Sequence, residues 1–380
     1  MTKAKKTFNL FAISEARNVI FGIATLWIGL FHSFELTLKP YTDNKFLIDA
    51  FKFFKGTGNV GVDMFLFLSG VGLFFSFTKD GKLLNFWKKR LMRVLPTALL
   101  IGIVFFSIRY VEGRYQSGFP AYLKRISFTY FYFRGERVFW FISLILVLYI
   151  AFPIFYKIIE RFRLGGMLGL VALVVAFTFT VRAVSPYYYD FWEIGLCRVP
   201  VFIIGIWAGK FVMEKREISR HWLWAFLAVA VGMLFIIGNF GAIAKAINPA
   251  YNKDMETMYM FIWRYASCPL GISLVVLDSF ICTELRHRGR GNLLRNFFEF
   301  VGIYSMEYYM IYLNINSYLD RVFEISDKHY IMLYFGSFVF SLALCVVVRK
   351  LCDYFMAYMQ RKPKNWEELR AQRKRKKTAK

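Results

Sequence analysis

Acidic residues are scarce in this 380-residue sequence, with 25 Asp and Glu against 50 Lys and Arg. Histidine is scarcer still, at four, and the five cysteines form no CxxC pair and have no histidine at metal-ligand spacing. The sequence therefore presents neither a recognisable zinc motif nor a disulfide framework. Cys197, Cys268, Cys282, Cys345 and Cys352 lie in or beside apolar runs and read as small hydrophobes. No internal repeat is visible, which argues against a transporter built from symmetric halves. No stretch has the composition of an appended soluble domain. No signal-peptidase site follows the first apolar run, so that run reads as an uncleaved anchor.

What the chain has in abundance is apolar surface. Hydrophobic residues make up 57% and aromatics 20%, too much for one globule to hide from water. Spread over many helices in lipid, the same composition is ordinary. The formal charge of +25 does not indicate nucleic-acid binding, because Lys and Arg cluster between the apolar runs, where they suit an anionic lipid surface.

Roughly 20 apolar residues per crossing predicts an all-α, polytopic transmembrane bundle of about ten spans. They are expected at 17–38, 60–78, 94–110, 138–157, 165–183, 194–213, 222–240, 257–279, 297–316 and 331–350. The aromatic run SFTYFYF within 111–137 leaves room for an eleventh. If the basic amino terminus is cytoplasmic, the loops rich in Lys and Arg fall on the same side, and both termini are cytoplasmic. Segment 111–137 is the exception, expected outside yet holding Arg114, Lys124, Arg125, Arg134 and Arg137. The carboxyl-terminal stretch RKPKNWEELRAQRKRKKTAK is almost all charge and reads as a basic tail on the inner leaflet, with room for a short helix at NWEELRAQRKRK.

Several ionisable residues stand where lipid would penalise them. His32 follows residues 18–31, which carry no charge at all. An imidazole near the end of a span is either solvated by headgroups or lines a functional cavity, where it can accept and return a proton near neutrality. Asp63 opens GVDMFLFLSGVGLFFS, with Ser69 and Gly70 at its middle; the glycine lets a helix or a ligand approach the backbone. Arg90 and Arg93, three apart on one helix face and just before Pro96, form a pair suited to phosphate oxygens, whereas Lys88 and Lys89 read as plain anchoring charge. Arg198, Arg264 and Glu307 interrupt later spans and need partners inside the bundle.

These segments, in this order, resemble acyltransferase family three of integral membrane proteins. The similarity lies in the first span with Arg17 and His32, in GVDMFLFLSGVGLFFS, KKRLMRVLP, VFWFISLILVLYIAFPIF and RVPVFIIGIWAGK, and in SMEYYMIYLNI. Two departures stand out. The family's basic residue eleven positions before the histidine is Phe21 here, and Arg17 lies fifteen before it, about 22 Å along a helix. The histidine often found after the Tyr of the late span is replaced by Tyr312-Leu313-Asn314.

The resemblance implies a transmembrane acyltransferase domain over 1–350, followed by a basic cytoplasmic tail over 351–380. It implies transfer of an acetyl or similar acyl group from cytoplasmic acyl-CoA to a hydroxyl of a cell-surface or exported polysaccharide. His32 would be general base or transient acyl carrier, and Glu35 a residue orienting it. Arg17, Arg90 and Arg93 would bind the donor, and Asp63, Ser69, Gly70, Arg198, Arg264 and Glu307 would line the site. No metal or tightly held cofactor is implied, with acetyl-CoA entering as substrate. The competing classes are a non-enzymatic exporter of glycan or lipid, which would tolerate Gln at position 32, and the same enzyme with a lipid or small-molecule acceptor.

Overall fold

In lipid the backbone must satisfy its own polar groups, which leaves helices as the economical answer for these apolar runs. The computed structural model describes residues 7–33, 36–114, 118–322 and 330–360. Its elements in chain order are β1 (Thr7–Asn9), α1 (Ala12–Glu15), α2 (Arg17–Phe31), α3 (Lys45–Gly56), α4 (Gly61–Asp80), α5 (Leu83–Val111), α6 (Gly118–Ile126), α7 (Tyr130–Arg134), α8 (Trp140–Val184), α9 (Pro186–Leu196), α10 (Val199–Met213), β2 (Glu217–Ser219), α11 (His221–Gly238), α12 (Phe240–Ile247), α13 (Glu256–His287), α14 (Asn292–Ile303), α15 (Ser305–Val322) and α16 (Tyr330–Gln360).

Seven helical stretches among the described residues are long and apolar enough to cross a membrane, and α2 is a shorter apolar helix. The longest, α8, breaks at Arg163, where the backbone turns to φ 52° and ψ −125°. It therefore carries two of the expected spans, one on either side of the break. Four expected boundaries are corrected. The first helix stops at Phe31, and His32 caps it rather than lying within it. Span 194–213 is divided at Cys197–Arg198, and 297–316 at Tyr304. The last helix continues to Gln360, past the expected end at 350, while 361–380 of the expected tail lie outside the described residues. Segment 111–137 forms two short helices of 9 and 5 residues, neither long enough to cross a bilayer. Two of its arginines are matched locally, Arg114 with Glu112 and Arg125 with Glu136, each at 2.7 Å, whereas Arg137 reaches Glu193 of α9 at 3.6 Å.

Close helix crossings set the frame. Gly70 of α4 faces the backbone of Phe202 on α10, and Gly205 of α10 faces that of Phe67 on α4, so a methyl group at either glycine would collide with main chain. Gly22 of α2 and Gly302 of α14 meet in the same way. Small residues at such crossings let helices pack closely where lipid supplies no hydrophobic drive. Gly70 is thus a packing residue, and the expectation that it lines the site is corrected. At one end of the bundle, β1 pairs antiparallel with β2, Phe8 opposite Ile218. Arg286 pairs with Glu15 at 3.2 Å and Arg220 with Glu284 at 2.6 Å, joining the amino-terminal segment to the turns after α10 and α13. Large apolar side chains such as Trp224, Phe235, Leu173, Ile154 and Phe340 are exposed on the outside of the bundle, as a lipid-facing surface requires.

Candidate functional site

A cavity of about 240 Å³ runs along α2 between α4, α5, α8, α14 and α15. Its lining follows α2 from Arg17 past Phe21 and Thr25 to Gly29, about 18 Å of helix. One end is cationic, lined by Arg17, Arg90, Arg93 and Arg349, with Glu307 among them. Arg349 donates to one oxygen of Glu307. The other carboxylate oxygen, like Nε of Arg17 and Nε of Arg90, is buried without a hydrogen-bond partner. Buried donors in that state cost free energy unless a ligand or water meets them.

The position of Arg17 accounts for the first departure from the family pattern. Its guanidinium lies over the ring of Phe21, 4.9 Å from the centroid, so the charge reaches the level of position 21 from one turn below. Gly72 of α4 makes the space: a Cβ there would stand 3.1 Å from the guanidinium carbon of Arg17. Under the donor-binding role that the family resemblance implies for Arg17, Gly72→Val is expected to push the guanidinium aside and raise the donor concentration for half-maximal rate, with roughly a tenfold effect if one charged hydrogen bond is lost. Steady-state kinetics against acyl donor check this.

Lys88 and Lys89 are exposed and absent from the lining, and Lys89 pairs with Asp80 at 2.6 Å. The sequence distinction between the two lysines and the two arginines therefore has a structural counterpart.

The other end of the cavity is walled by Tyr308 and Tyr312, whose rings stack at 4.8 Å. The Tyr312 hydroxyl lies 3.0 Å from Ser33 Oγ, directly after His32. His32 is not itself among the lining residues; it follows the end of α2, one turn past Gly29, with its ring edge-on to Phe31 at 5.0 Å. Ser69 lines the cavity midway. Glu35 lies outside the described residues.

Asp63, Arg198 and Arg264 are brought together elsewhere, and the expectation that they line this cavity is corrected. Arg198 Nε donates to Asp63 at 3.3 Å, and Arg264 Nε to Glu193 at 3.1 Å. All four are at most 5% exposed. Two carboxylates and two guanidinium groups form a buried set that ties α4, α9, α13 and the α9–α10 junction together, and the exposed Arg137 reaches Glu193 from the rim at 3.6 Å. Cys268 contributes its thiol, 3.7 Å from Asp63. The physical reason is that a charge this deep must be paired, and the partners used up each other's capacity rather than facing a substrate.

Sequence reasoning missed Arg349, Tyr308 and Tyr312 as cavity residues. Arg349 sits at a span end, where basic residues are expected anyway. The tyrosines belong to a run of aromatics in which face cannot be assigned without knowing the neighbours.

The fold and cavity are those of a helical membrane protein with an internal cavity that is basic at one end. The chain belongs to acyltransferase family 3: the family's acyltransferase domain model matches residues 19–350. No curated protein and no solved structure gives a significant match.

Proposed function

We propose that the protein is a membrane O-acyltransferase that moves an acetyl or similar acyl group from a cytoplasmic acyl-CoA to a hydroxyl of a cell-surface or exported polysaccharide. The observation that carries this reading is the alignment along α2, with the buried Nε groups of Arg17 and Arg90 unbonded at one end, an internal cavity between, and His32 just past the far end. A volume of about 240 Å³ is below that of a usual small-molecule pocket. It suits a narrow chain rather than a whole nucleotide. The coenzyme's phosphates then belong outside, on Arg17, Arg90 and Arg93, with its pantetheine arm threaded past Phe21, Phe65 and Ser69 toward His32. The arginine end is the cytoplasmic one in this reading, and both termini share that side of the cell membrane.

At the far end His32 takes the proton from the acceptor hydroxyl as its oxygen attacks the thioester carbonyl. The bond to sulfur breaks, and the coenzyme thiolate leaves by the way it came and is protonated. If the acyl group rests first on the imidazole, the same residue serves as carrier. No cofactor is required in either case, and Glu307, held by Arg349, keeps the arginine end from being a site of purely positive charge.

The test is donor dependence in proteoliposomes. Arg90→Ala and Arg93→Ala should each raise the acyl-CoA concentration for half-maximal rate by about tenfold, the value of a charge-assisted hydrogen bond. Lys88→Ala and Lys89→Ala should change it by less than about twofold, as exposed charges do. Equal, small effects at all four positions would return the arginines to anchoring. Mass profiling of surface glycans with and without the protein would test the acceptor.

A further inference from the structure

The last turn of any helix leaves carbonyls without intrahelical donors. Just past the end of α2 the chain carries two further carbonyls, both after His32, and a lysine from a different helix reaches them. Lys55 Nζ donates to Ser33 O at 3.1 Å and to Leu36 O at 2.8 Å. Ser33 is fixed from its other side as well. Its buried hydroxyl donates to Gly29 O at 3.1 Å and lies 3.0 Å from the Tyr312 hydroxyl. The peptide that follows the imidazole is therefore gripped by Lys55 and Tyr312 from opposite directions.

Lys55 is delivered with little freedom. It sits in the last turn of α3, which is docked on α2 next to the same site. Trp27 Nε1 donates to Phe54 O at 2.8 Å, and its indole stacks on the Phe54 ring at 5.5 Å. The Thr57 hydroxyl closes the end of α3 on Phe53 O and Phe54 O. Gly58 lies so close to the Trp27 carbonyl that a side chain there would collide with it. An ammonium group at this point also faces the negative end of the α2 dipole.

We propose that Lys55 is a positioning residue for His32: by holding the carbonyls of Ser33 and Leu36 it sets the direction of the imidazole at the far end of the cavity. This rests on the reading of His32 as the group that handles the acceptor proton. It needs no contact between Lys55 and substrate.

The experiment compares Lys55→Met, Lys55→Arg and, as a control from an exposed position of the same helix, Lys52→Met. Two readouts are taken on folded, reconstituted protein. The first is the rate at which diethyl pyrocarbonate modifies His32, followed by peptide mass spectrometry, with His221 as internal reference. The second is kcat and donor KM. Lys55→Met is expected to change the His32 modification rate about threefold or more and to lower kcat by ten- to a hundredfold, as misplacement by about an ångström does. Donor KM should stay constant. Lys55→Arg keeps the charge and a long stem and should fall between, and it carries the test if the methionine variant does not fold. Lys52→Met should match the parent. Modification rate and kcat unchanged in both Lys55 variants would overturn the proposal. Altered modification of His32 beside an active His32→Ala variant would instead refute the catalytic reading and leave the positioning role standing.

Discussion

His32→Ala is expected to remove acyl transfer while protein amount, membrane insertion and donor binding stay at the parental level. Loss of a positioned general base costs about 10² to 10⁴ in rate, and the neighbouring titratable groups are already engaged, Lys55 by the carbonyls of Ser33 and Leu36 and Tyr312 by Ser33 Oγ. The close helix crossing of α2 lies away from the imidazole: Gly22 meets Gly302 more than two turns below it. Acyl transfer measured in proteoliposomes, with product quantified by mass spectrometry, checks it. Parental product yield from the alanine variant would remove His32 from the chemistry. His32→Gln separates the enzyme from an exporter, since a passage for glycan or lipid has no use for a proton acceptor there.

The second large effect concerns stability. Arg198→Ala strands Asp63, and Asp63→Ala strands Arg198, in a setting where both are at most 1% exposed. Removing one member of such a buried pair costs about 3–5 kcal/mol, because the survivor keeps its desolvation penalty without its partner. Either single variant should accumulate poorly and unfold at a lower temperature in detergent. The double variant Asp63→Leu with Arg198→Met removes both charges and should recover much of the loss. A double-mutant cycle on thermal unfolding measures this. Additive losses would mean that the two groups do not act as a pair.

These two predictions separate what could be read from the chain and what could not. His32 stood out because fourteen uncharged residues, 18–31, precede it, a purely one-dimensional signal. The helical nature of the bundle was legible for the same reason. Arg90 and Arg93 were legible as a pair because a spacing of three fixes them on one helix face. The fate of Asp63 was not legible: its partner is 135 residues away, and the alternative that it faced a ligand gives the same sequence. Gly70 and Gly72 are two residues apart, and both looked like places for close approach. Only the packing shows that one admits the backbone of α10 and the other the guanidinium of Arg17. The break of α8 at Arg163 was anticipated from the polar interval between two apolar runs, whereas the end of the first helix at Phe31 was not, because the span was carried past His32, Ser33 and Glu35 to 38 to reach the usual membrane-crossing length.

The buried set of four charges also constrains the order in which the chain can be assembled. Asp63 is synthesised with α4, yet its counter-ion arrives only with Arg198. Glu193 meets Arg137, already made, at 3.6 Å and gains Arg264 only 71 residues later. During synthesis α4 must therefore be held near water, or carry a protonated carboxyl, until α9 and α10 have been made. The core of the bundle cannot close before α13 has been inserted. The carboxyl-terminal helices that complete the cavity, α14 to α16, are then added to a frame already locked by charge. A chain arrested before residue 198 is accordingly expected to expose Asp63 as a lone carboxylate inside the bundle, a clear mark for quality-control proteolysis.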